Sequence, residues 1–355
     1  MALLEGIKIR NYRALREVAL GRTFENRQAN PLPRMLALIG PNGAGKSTLV
    51  DALGFLGDAL RLGVEAACDE PHRGGFERLH TRDQSGPIEF EVYFREDKNS
   101  RPISYTLHID LEKGRPIVVY ERFRQRRKGQ KHGQPFPFLQ LEHGKGFAWA
   151  GESTDKEEGS RKEEVQLEDL RKLGITTLGN LTEHPRVVGF RKFLEGWYLS
   201  YFVADKARSL PSSAAQKHLN RTGDNIANYL MHLERERPDR FSNVLHSIAL
   251  KIPGISSITH KKSPDNRLLI QINEQGYKDP FYQQDMSDGT LKMLAYLLLF
   301  EDPELAPLIG IEEPENGLHH QLLQPLAQQM KQIAEAGGSQ LFVTTHSPFF
   351  IDALS

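Results

Sequence analysis

One short glycine-rich turn limits the possible folds of this chain more than any other feature. Residues 40–48 read Gly-Pro-Asn-Gly-Ala-Gly-Lys-Ser-Thr and stand between the apolar runs 35–39 and 49–53. Glycines allow the backbone to curl so that successive N–H groups point inward, and the helix that follows directs its N-terminus at the same place. Strand, turn and helix in this order form a phosphate-binding loop. The sequence therefore predicts an α/β fold with an anion site where the strand meets the helix.

The residues of this loop are the types that a bound nucleotide needs. Lys46 has the reach to contact the β- and γ-phosphates, and the Ser47 hydroxyl can bind Mg²⁺. ATP and Mg²⁺ are therefore the predicted cofactors. The predicted nucleotide-binding residues are Asn42, Gly43, Ala44, Gly45, Lys46, Ser47 and Thr48.

Composition narrows the class of protein. A chain of 355 residues exceeds one ordinary domain core, which predicts two lobes or a sizeable insertion. Basic and acidic residues both number 46, so only a local patch could bind nucleic acid. The single cysteine, Cys68, excludes an intramolecular disulfide framework and fits a reducing cytosol. The start lacks a secretion signal, and no segment approaches the ~18 apolar residues of a membrane span. We expect a cytoplasmic protein with no membrane partner.

The hydrophobic pattern changes twice along the chain. Up to about residue 145 apolar and polar residues mostly alternate, which predicts an antiparallel sheet. Residues 144–173 turn glycine-rich and then densely charged, which predicts a solvated loop or linker. Helical spacing dominates from 185 to 252, and strands alternate with helices from 256 onward. The predicted division is 1–145 as an N-terminal lobe with the phosphate loop and an antiparallel β subdomain, 146–255 as a charged linker and helical insertion, and 256–355 as a C-terminal lobe.

Two carboxylates end an apolar strand in the C-terminal lobe. Residues 308–312 are predicted to form a buried strand, after which Glu313 follows Glu312 directly. A buried parallel strand delivers its terminal side chains to the carboxyl edge of its sheet, where a phosphate loop also lies. Glu312 is the candidate to hold Mg²⁺ through a water ligand, and Glu313 is the candidate to orient the attacking water. The alternative is a solvated acidic pair after a core strand.

Two further segments flank this strand in the sequence. Ser287 is a good N-cap for the helix that begins near Gly289, and a capped helix start with a free hydroxyl can bind an anion. An ordinary capped helix is the alternative. His346 follows the predicted strand 341–345, which begins with the apolar run 341–343. There it could hydrogen-bond a γ-phosphate or the water aimed at it; a satisfied loop histidine is the alternative.

Together these segments resemble the motifs of an ABC-type ATPase head. The stretches 40–48, 287–290, 311–319 and 345–348 are similar to its Walker A, signature, Walker B with D-loop, and switch-histidine motifs. The branch they resemble is the one of the RecF and SMC heads, which includes the ATPase half of the OLD nucleases and many prokaryotic anti-phage ATPases. The opening 7–13 is similar to the usual start of that branch. The fold class implied is a P-loop NTPase, an ABC-type ATPase head with a mixed central sheet, an antiparallel β subdomain and a helical insertion.

The resemblance implies a mechanism that needs two copies of the chain. The signature residues Ser287, Asp288 and Gly289 of one head would cap the γ-phosphate held by Lys46 of the other, so that ATP closes a homodimer and hydrolysis releases it. Lys46, Glu313 and His346 would be the catalytic residues, with Ser47, Glu312 and Gln84 at the metal. Arg13 would approach the nucleotide, with a surface position as the alternative.

The function implied is that of an ATPase acting as a switch. The expected partners are a second head or a higher oligomer, and a separate effector protein such as a nuclease or toxin, in prokaryotic anti-phage defence or DNA repair. A basic run over 122–132, predicted at a hairpin tip, makes nucleic acid a further candidate partner; a solvated tip is the alternative. Two other functions stay open: an ATP-bound assembly scaffold with little turnover, and an ATPase subunit of an ABC transporter.

Overall fold

The structure is a computed structural model that describes residues 2–127, 130, 133–151, 161–209, 215–264 and 267–354. The chain forms two compact units. The first unit comprises Met1–Leu36 and Asn42–Trp197, and the second comprises Ala37–Pro41 and Tyr198–Ser355. The three-part division at residues 145 and 255 stays a prediction.

Fifteen strands and eleven helices are named over the described residues. In chain order they are β1 (Leu3–Tyr12), β2 (Leu15–Gly21), β3 (Met35–Ile39), α1 (Lys46–Leu62), α2 (Val64–Asp69), α3 (Phe76–Leu79), β4 (Ile88–Arg95), β5 (Ile103–Glu112), β6 (Arg115–Gln125), β7 (Phe136–Glu142), β8 (Lys145–Ala150), β9 (Arg161–Gln166), α4 (Gly174–Leu178), α5 (Pro185–Glu195), β10 (Tyr198–Ser200), α6 (Ala204–Ala207), α7 (Ile226–Glu236), α8 (Pro238–Lys251), β11 (Ile255–Lys262), β12 (Leu268–Glu274), β13 (Phe281–Tyr282), α9 (Asp288–Phe300), β14 (Leu308–Glu312), α10 (His320–Ala336), β15 (Gln340–Thr345) and α11 (Pro348–Leu354).

The first unit is built on one eight-stranded sheet in the order β2-β1-β4-β5-β6-β7-β8-β9, with antiparallel neighbours throughout. Its strands alternate as predicted, so that Phe90 is buried while Glu89 and Glu91 are only half-buried. The ring of Phe55 on α1 stacks on Phe90 at 5.7 Å, and the ring of Phe193 on α5 lies 4.3 Å from that of Phe94. Each such buried ring contributes roughly 1.5–3 kcal/mol, and together they fix α1 and α5 on the sheet.

Two sequence predictions in this unit are corrected. Within the 144–173 stretch predicted as a solvated loop or linker, Lys145–Ala150 form strand β8 and Arg161–Gln166 form strand β9 at the edge of the sheet; residues 152–160 lie outside the described ones. An edge strand that faces solvent on most positions carries charge instead of apolar alternation, which hid it. Arg124 lies within β6 and not at a hairpin tip, is 9% exposed, and places its guanidinium over the ring of Phe24 at 3.4 Å. Of the same basic run, Lys128, Lys131 and His132 lie outside the described residues.

The second unit contains a four-stranded sheet in the order β10-β14-β15-β3 and a three-stranded antiparallel sheet, β11-β12-β13. β14 pairs in parallel with both β10 and β15. Continuous apolar runs such as Leu341-Phe342-Val343 are typical of parallel strands covered on both faces, and all six residues of β15 are buried. The predicted α/β class with mixed sheets is confirmed. In the described part of the chain, no helix combines the length and apolarity needed to cross a bilayer.

Candidate functional site

The predicted phosphate loop has the backbone that its glycines require. Gly43 and Gly45 adopt φ values of 82° and 91°, a left-handed region that residues with a Cβ rarely enter. A Cβ on Gly45 would also lie 3.2 Å from a methyl carbon of Leu15. No side chain caps the start of α1 by a hydrogen bond, and the N-terminus of a helix is a place where main-chain N–H groups bind anions.

Lys46 and Ser47 begin α1, with Lys46 half-buried and Ser47 exposed. The loop is shared between the two units by sequence: Gly40 and Pro41 belong to the second unit, and Asn42 onward belongs to the first.

The carboxyl ends of β14 and β15 bring the other predicted residues together. The two strands are in register as neighbours, with Glu312 opposite Thr344. Glu313 follows, and its N–H donates to the Thr344 carbonyl at 3.0 Å. His346 follows β15 in the same way. Because parallel strands end at a common edge, residues 33 positions apart in the chain become neighbours.

Glu313 and His346 are hydrogen-bonded directly. Nδ1 of His346 lies 3.1 Å from Oε1 of Glu313, and since a carboxylate only accepts, Nδ1 carries the proton. The second carboxylate oxygen, Oε2, accepts from the Asn316 side-chain amide. The backbone of Glu313 has φ 41°, which is uncommon for a residue with a side chain. Such strain persists only where the surroundings hold it.

Glu315 also contributes to this edge, although the sequence reasoning gave it no role. Its side chain is buried, and Oε1 accepts from the Thr345 hydroxyl and from the His346 N–H at 3.3 Å. These bonds fix the backbone that presents His346. Lys292 on α9 is a second residue that was missed: its ammonium donates to carbonyls of the turn after β14. Only the close spacing of Glu313 and Glu315 could have indicated the first; the second has no sequence signal.

The predicted signature segment lies at the start of α9. Ser287 is its N-cap, and the Ser287 hydroxyl oxygen accepts from the Thr290 N–H at 3.1 Å. The carboxylate of Asp288 pairs with Arg208. An open cleft of 330 Å³ lies against this first turn, lined among others by Ser287, Gly289 and Gly317. The hydroxyl, the cleft and the first turn together make a place where a partner's anion could enter.

The candidates from the first unit lie on its loops. Gln84 is exposed before β4, and its amide donates to the Asp83 carbonyl at 3.0 Å. Its place at the metal stays a prediction. Arg13, in the turn between β1 and β2, pairs with Asp51 of α1 at 3.2 Å and donates to the His72 carbonyl at 2.8 Å. Its approach to the nucleotide also stays a prediction.

Asp51 is the centre of a buried cluster behind the phosphate loop helix. Its carboxylate accepts from the Tyr12 hydroxyl at 2.8 Å and from Nε of Arg73 at 3.0 Å, and it also pairs with Arg13; Nε2 of His72 lies 3.3 Å away. Burial, with the nearby charge of Asp51, raises the pKa of Tyr12 well above its usual range. Because these partners come from other segments of the first unit, their bonds to Asp51 hold α1 in place.

The oxygen donors suit Mg²⁺. Ser47 offers a hydroxyl and Glu312 a carboxylate, the hard oxygen ligands that Mg²⁺ prefers beside substrate phosphates. Among the described residues, no three His, Cys, Asp or Glu side chains converge to hold a metal unaided. Mg²⁺ is usually bound by one or two protein groups together with substrate phosphates, and each of these two residues by itself offers a suitable oxygen.

The fold and these motifs define a P-loop ATPase head of the ABC type. The chain belongs to the family described as "AAA domain, putative AbiEii toxin, Type IV TA system", whose model matches residues 35–352. No curated protein matches the sequence.

Solved structures show the same fold. An SMC head bound to the C-winged helix domain of ScpA has a TM-score of 0.55 at 14% identity, over 99% of this chain and 92% of that one. The Smc head domain with an extended coiled coil, bound to the C-terminal domain of ScpA from Pyrococcus furiosus, has a TM-score of 0.54 at 13% identity, over the same shares. The likeness to SMC heads confirms the predicted fold, and together with the family match it supports the predicted ABC-type, SMC-like ATPase head.

Proposed function

We propose that this chain binds ATP with Mg²⁺ and hydrolyses it, and that two copies close around the nucleotide as a switch for a separate effector. The observation that carries this proposal is the Glu313–His346 hydrogen bond at the carboxyl edge of a parallel sheet. Strand β3, which leads into the phosphate loop, is a member of that sheet.

The residues divide the work of phosphoryl transfer to water. Lys46 and the N–H groups at the start of α1 would bind the phosphates, and Ser47 and Glu312 would hold Mg²⁺, which would neutralise charge on the phosphate oxygens. Glu313 accepts a hydrogen bond from the attacking water and orients it. An imidazolium at His346 keeps its Nδ1 bond to Glu313 and presents Nε2–H to the γ-phosphate.

Two features support the dimer and the partner. The open cleft against the first turn of α9, lined by Ser287 and Gly289, is where we propose that the γ-phosphate held by a second copy enters. One structurally similar SMC head is bound to a domain of another protein, ScpA. We propose by analogy that this head acts in the cytoplasm on a separate effector such as a nuclease or toxin, in prokaryotic defence or DNA repair, with nucleic acid as a further candidate partner.

Phosphate release and oligomer size, measured with and without ATP, test the proposal. Wild type should hydrolyse ATP; Lys46→Ala should lose nucleotide binding and the ATP-dependent dimer. Glu313→Gln should keep binding, accumulate the dimer, and lose turnover by roughly a hundredfold to ten-thousandfold. Glu335→Gln, which changes an exposed carboxylate on α10, is the matched control and should behave as wild type.

Each alternative gives a different result. A scaffold would show negligible turnover in wild type and assembly that does not respond to Glu313→Gln. A transporter subunit would need a membrane partner for stimulation. Full turnover in Glu313→Gln would refute the proposed chemistry.

A further inference from the structure

The turn that carries Glu313, residues 313–317, is held by the helix that carries the signature segment. Nζ of Lys292 on α9 donates to the Asn316 carbonyl at 2.8 Å and to the Glu313 carbonyl at 3.2 Å. The Glu313 carbonyl also accepts from the Asn316 N–H at 3.0 Å. One ammonium therefore bridges the first and the fourth residue of this turn, and the first of them has a strained backbone.

A second contact joins the same two segments. A Cβ on Gly289 would lie 2.8 Å from the Gly317 carbonyl oxygen and 3.6 Å from Cα of Leu318. Only a residue without a side chain permits this approach of the first turn of α9 to the 313–317 turn. The contact lies one helical turn before Lys292, so the helix meets the turn at two successive levels.

The surroundings of Lys292 show that its ammonium is directed at the 313–317 turn and not into water. The side chain is half-buried, with its ammonium 5.8 Å from the centre of the Tyr296 ring. Burial lowers the pKa of Lys292 to about 8, against the opposing influence of the Glu315 and Glu313 carboxylates. A lysine that served only solubility would extend into water instead of giving two hydrogen bonds to main-chain carbonyls.

We infer that Lys292 is a positioning residue: it locks the 313–317 turn to α9, so that the signature segment and the Glu313 carboxylate move as one body. This inference rests on the proposed function for its catalytic meaning. Displacement of Ser287 or Gly289 by a partner's nucleotide is then transmitted to Glu313 through a short rigid path. Both hydrogen bonds of the Lys292 ammonium go to main-chain carbonyls, so we assign it no contact with a reacting atom.

Two measurements on the full chain test the inference. In the first, Lys292→Met should lower kcat roughly tenfold to a hundredfold with KM for ATP unchanged, since a misplaced water-orienting group affects the chemical step and not nucleotide binding. Lys292→Arg, which keeps a cation with several donors, should recover most of the rate. Lys292→Gln serves if the Met variant does not fold.

The matched control is Lys251→Met. Lys251 is another half-buried lysine of the second unit, and its ammonium bonds Glu301 at the end of α9 and Gln329 on α10. It resembles Lys292 in burial but contacts no residue of the 313–317 turn in these bonds. It should lower thermal stability while leaving kcat unchanged.

The second measurement is hydrogen exchange, which needs no turnover. The amides of Asn316 and Leu318, which bond within the turn, should exchange roughly tenfold or more faster in Lys292→Met than in wild type or Lys251→Met. Unchanged exchange, or a kcat equal to wild type, would overturn the inference. A wild type that never releases phosphate would instead refute the proposed function, so the two failures are distinguishable.

Discussion

Asp51 and Glu313 are two carboxylates in contrasting environments, the first buried and the second partly exposed. The side chain of Asp51 is 5% exposed and is surrounded by Tyr12, Arg13 and Arg73, in the first unit. The side chain of Glu313 is 26% exposed and has two partners, Asn316 and His346, in the second unit. The carboxylate oxygens of Asp51 are engaged by protein side chains, so its role is structural. The carboxylate of Glu313 stays partly exposed, so an incoming molecule can contact it. Its position is held by the hydrogen bond from its own main-chain N–H to Thr344.

The same substitution at both sites gives the largest contrast. Asp51→Asn should destabilise the fold by about 3–5 kcal/mol, because Arg13 then loses its buried counter-charge and the buried Arg73 is left with Asp58 alone of its two carboxylates. Glu313→Gln should change stability by less than about 1 kcal/mol and act on turnover instead. Urea unfolding of both variants checks this. Equal losses of stability would show that the division between structural and chemical carboxylates is wrong.

Tyr12→Phe tests one donor of the Asp51 cluster. The substitution removes a hydroxyl that gives a 2.8 Å hydrogen bond to a buried carboxylate while keeping the ring. The cost should be about 1.5–3 kcal/mol, the range for hydrogen bonds to charged groups. Tyr277→Phe is the control, since Tyr277 is 65% exposed and should tolerate the change. The midpoint of urea unfolding measures both, and a Tyr12 variant as stable as the control would contradict the cluster.

The lowered pKa of Lys292, which bonds the turn that carries Glu313, predicts that the stability of the fold depends on pH. Its pKa is about 8 in the folded chain, below the usual 10.5, so between these values the unfolded chain holds a proton that the folded chain has lost. Wild-type stability should therefore rise relative to Lys292→Met as pH increases from 8, by at most about 1.4 kcal/mol per pH unit. Unfolding from pH 7.5 to 9.5 measures the difference. Parallel curves for the two proteins would exclude the lowered pKa.

Chemical labelling of Cys68 tests the packing of the first unit without any substitution, and it has the smallest expected effect. It is fully buried, and burial raises the pKa of its thiol to about 12. A thiol reagent at pH 8 should therefore leave Cys68 unmodified in the native protein and label it once urea unfolds the chain. Rapid native labelling would mean that α2 opens easily and that the Asp51 cluster beside it is looser than its hydrogen bonds imply.

The sequence was informative where chemistry and local pattern coincide. The glycines of 40–45 predicted the curled, left-handed backbone before α1. The apolar runs before Glu313 and His346 predicted two parallel strands with a common edge. The common edge predicted that both side chains serve one site, but their direct hydrogen bond was not predicted. The Asp51 cluster could not be predicted, since Tyr12 and Asp51 stand 39 residues apart and no pattern links them.

Lys292 and β9 were missed for different physical reasons. A single lysine inside an apolar helix has the same sequence appearance whether its ammonium reaches water or a main-chain carbonyl. Strand β9 lies at a sheet edge, and its charges match a solvated linker equally well. In both cases the deciding information is which groups lie across from the residue, and that is set by the tertiary fold.

The assignment of β3 has a practical consequence for dividing the gene. This strand lies at the edge of the β10-β14-β15-β3 sheet, yet most of that unit begins only at Tyr198. A fragment expressed from Tyr198 onward would leave one side of β15 with unpaired N–H and C=O groups, a template for aggregation. A stable C-terminal fragment would need residues 35–41, which include all of β3, returned to it, for example by a short linker in a circularly permuted gene.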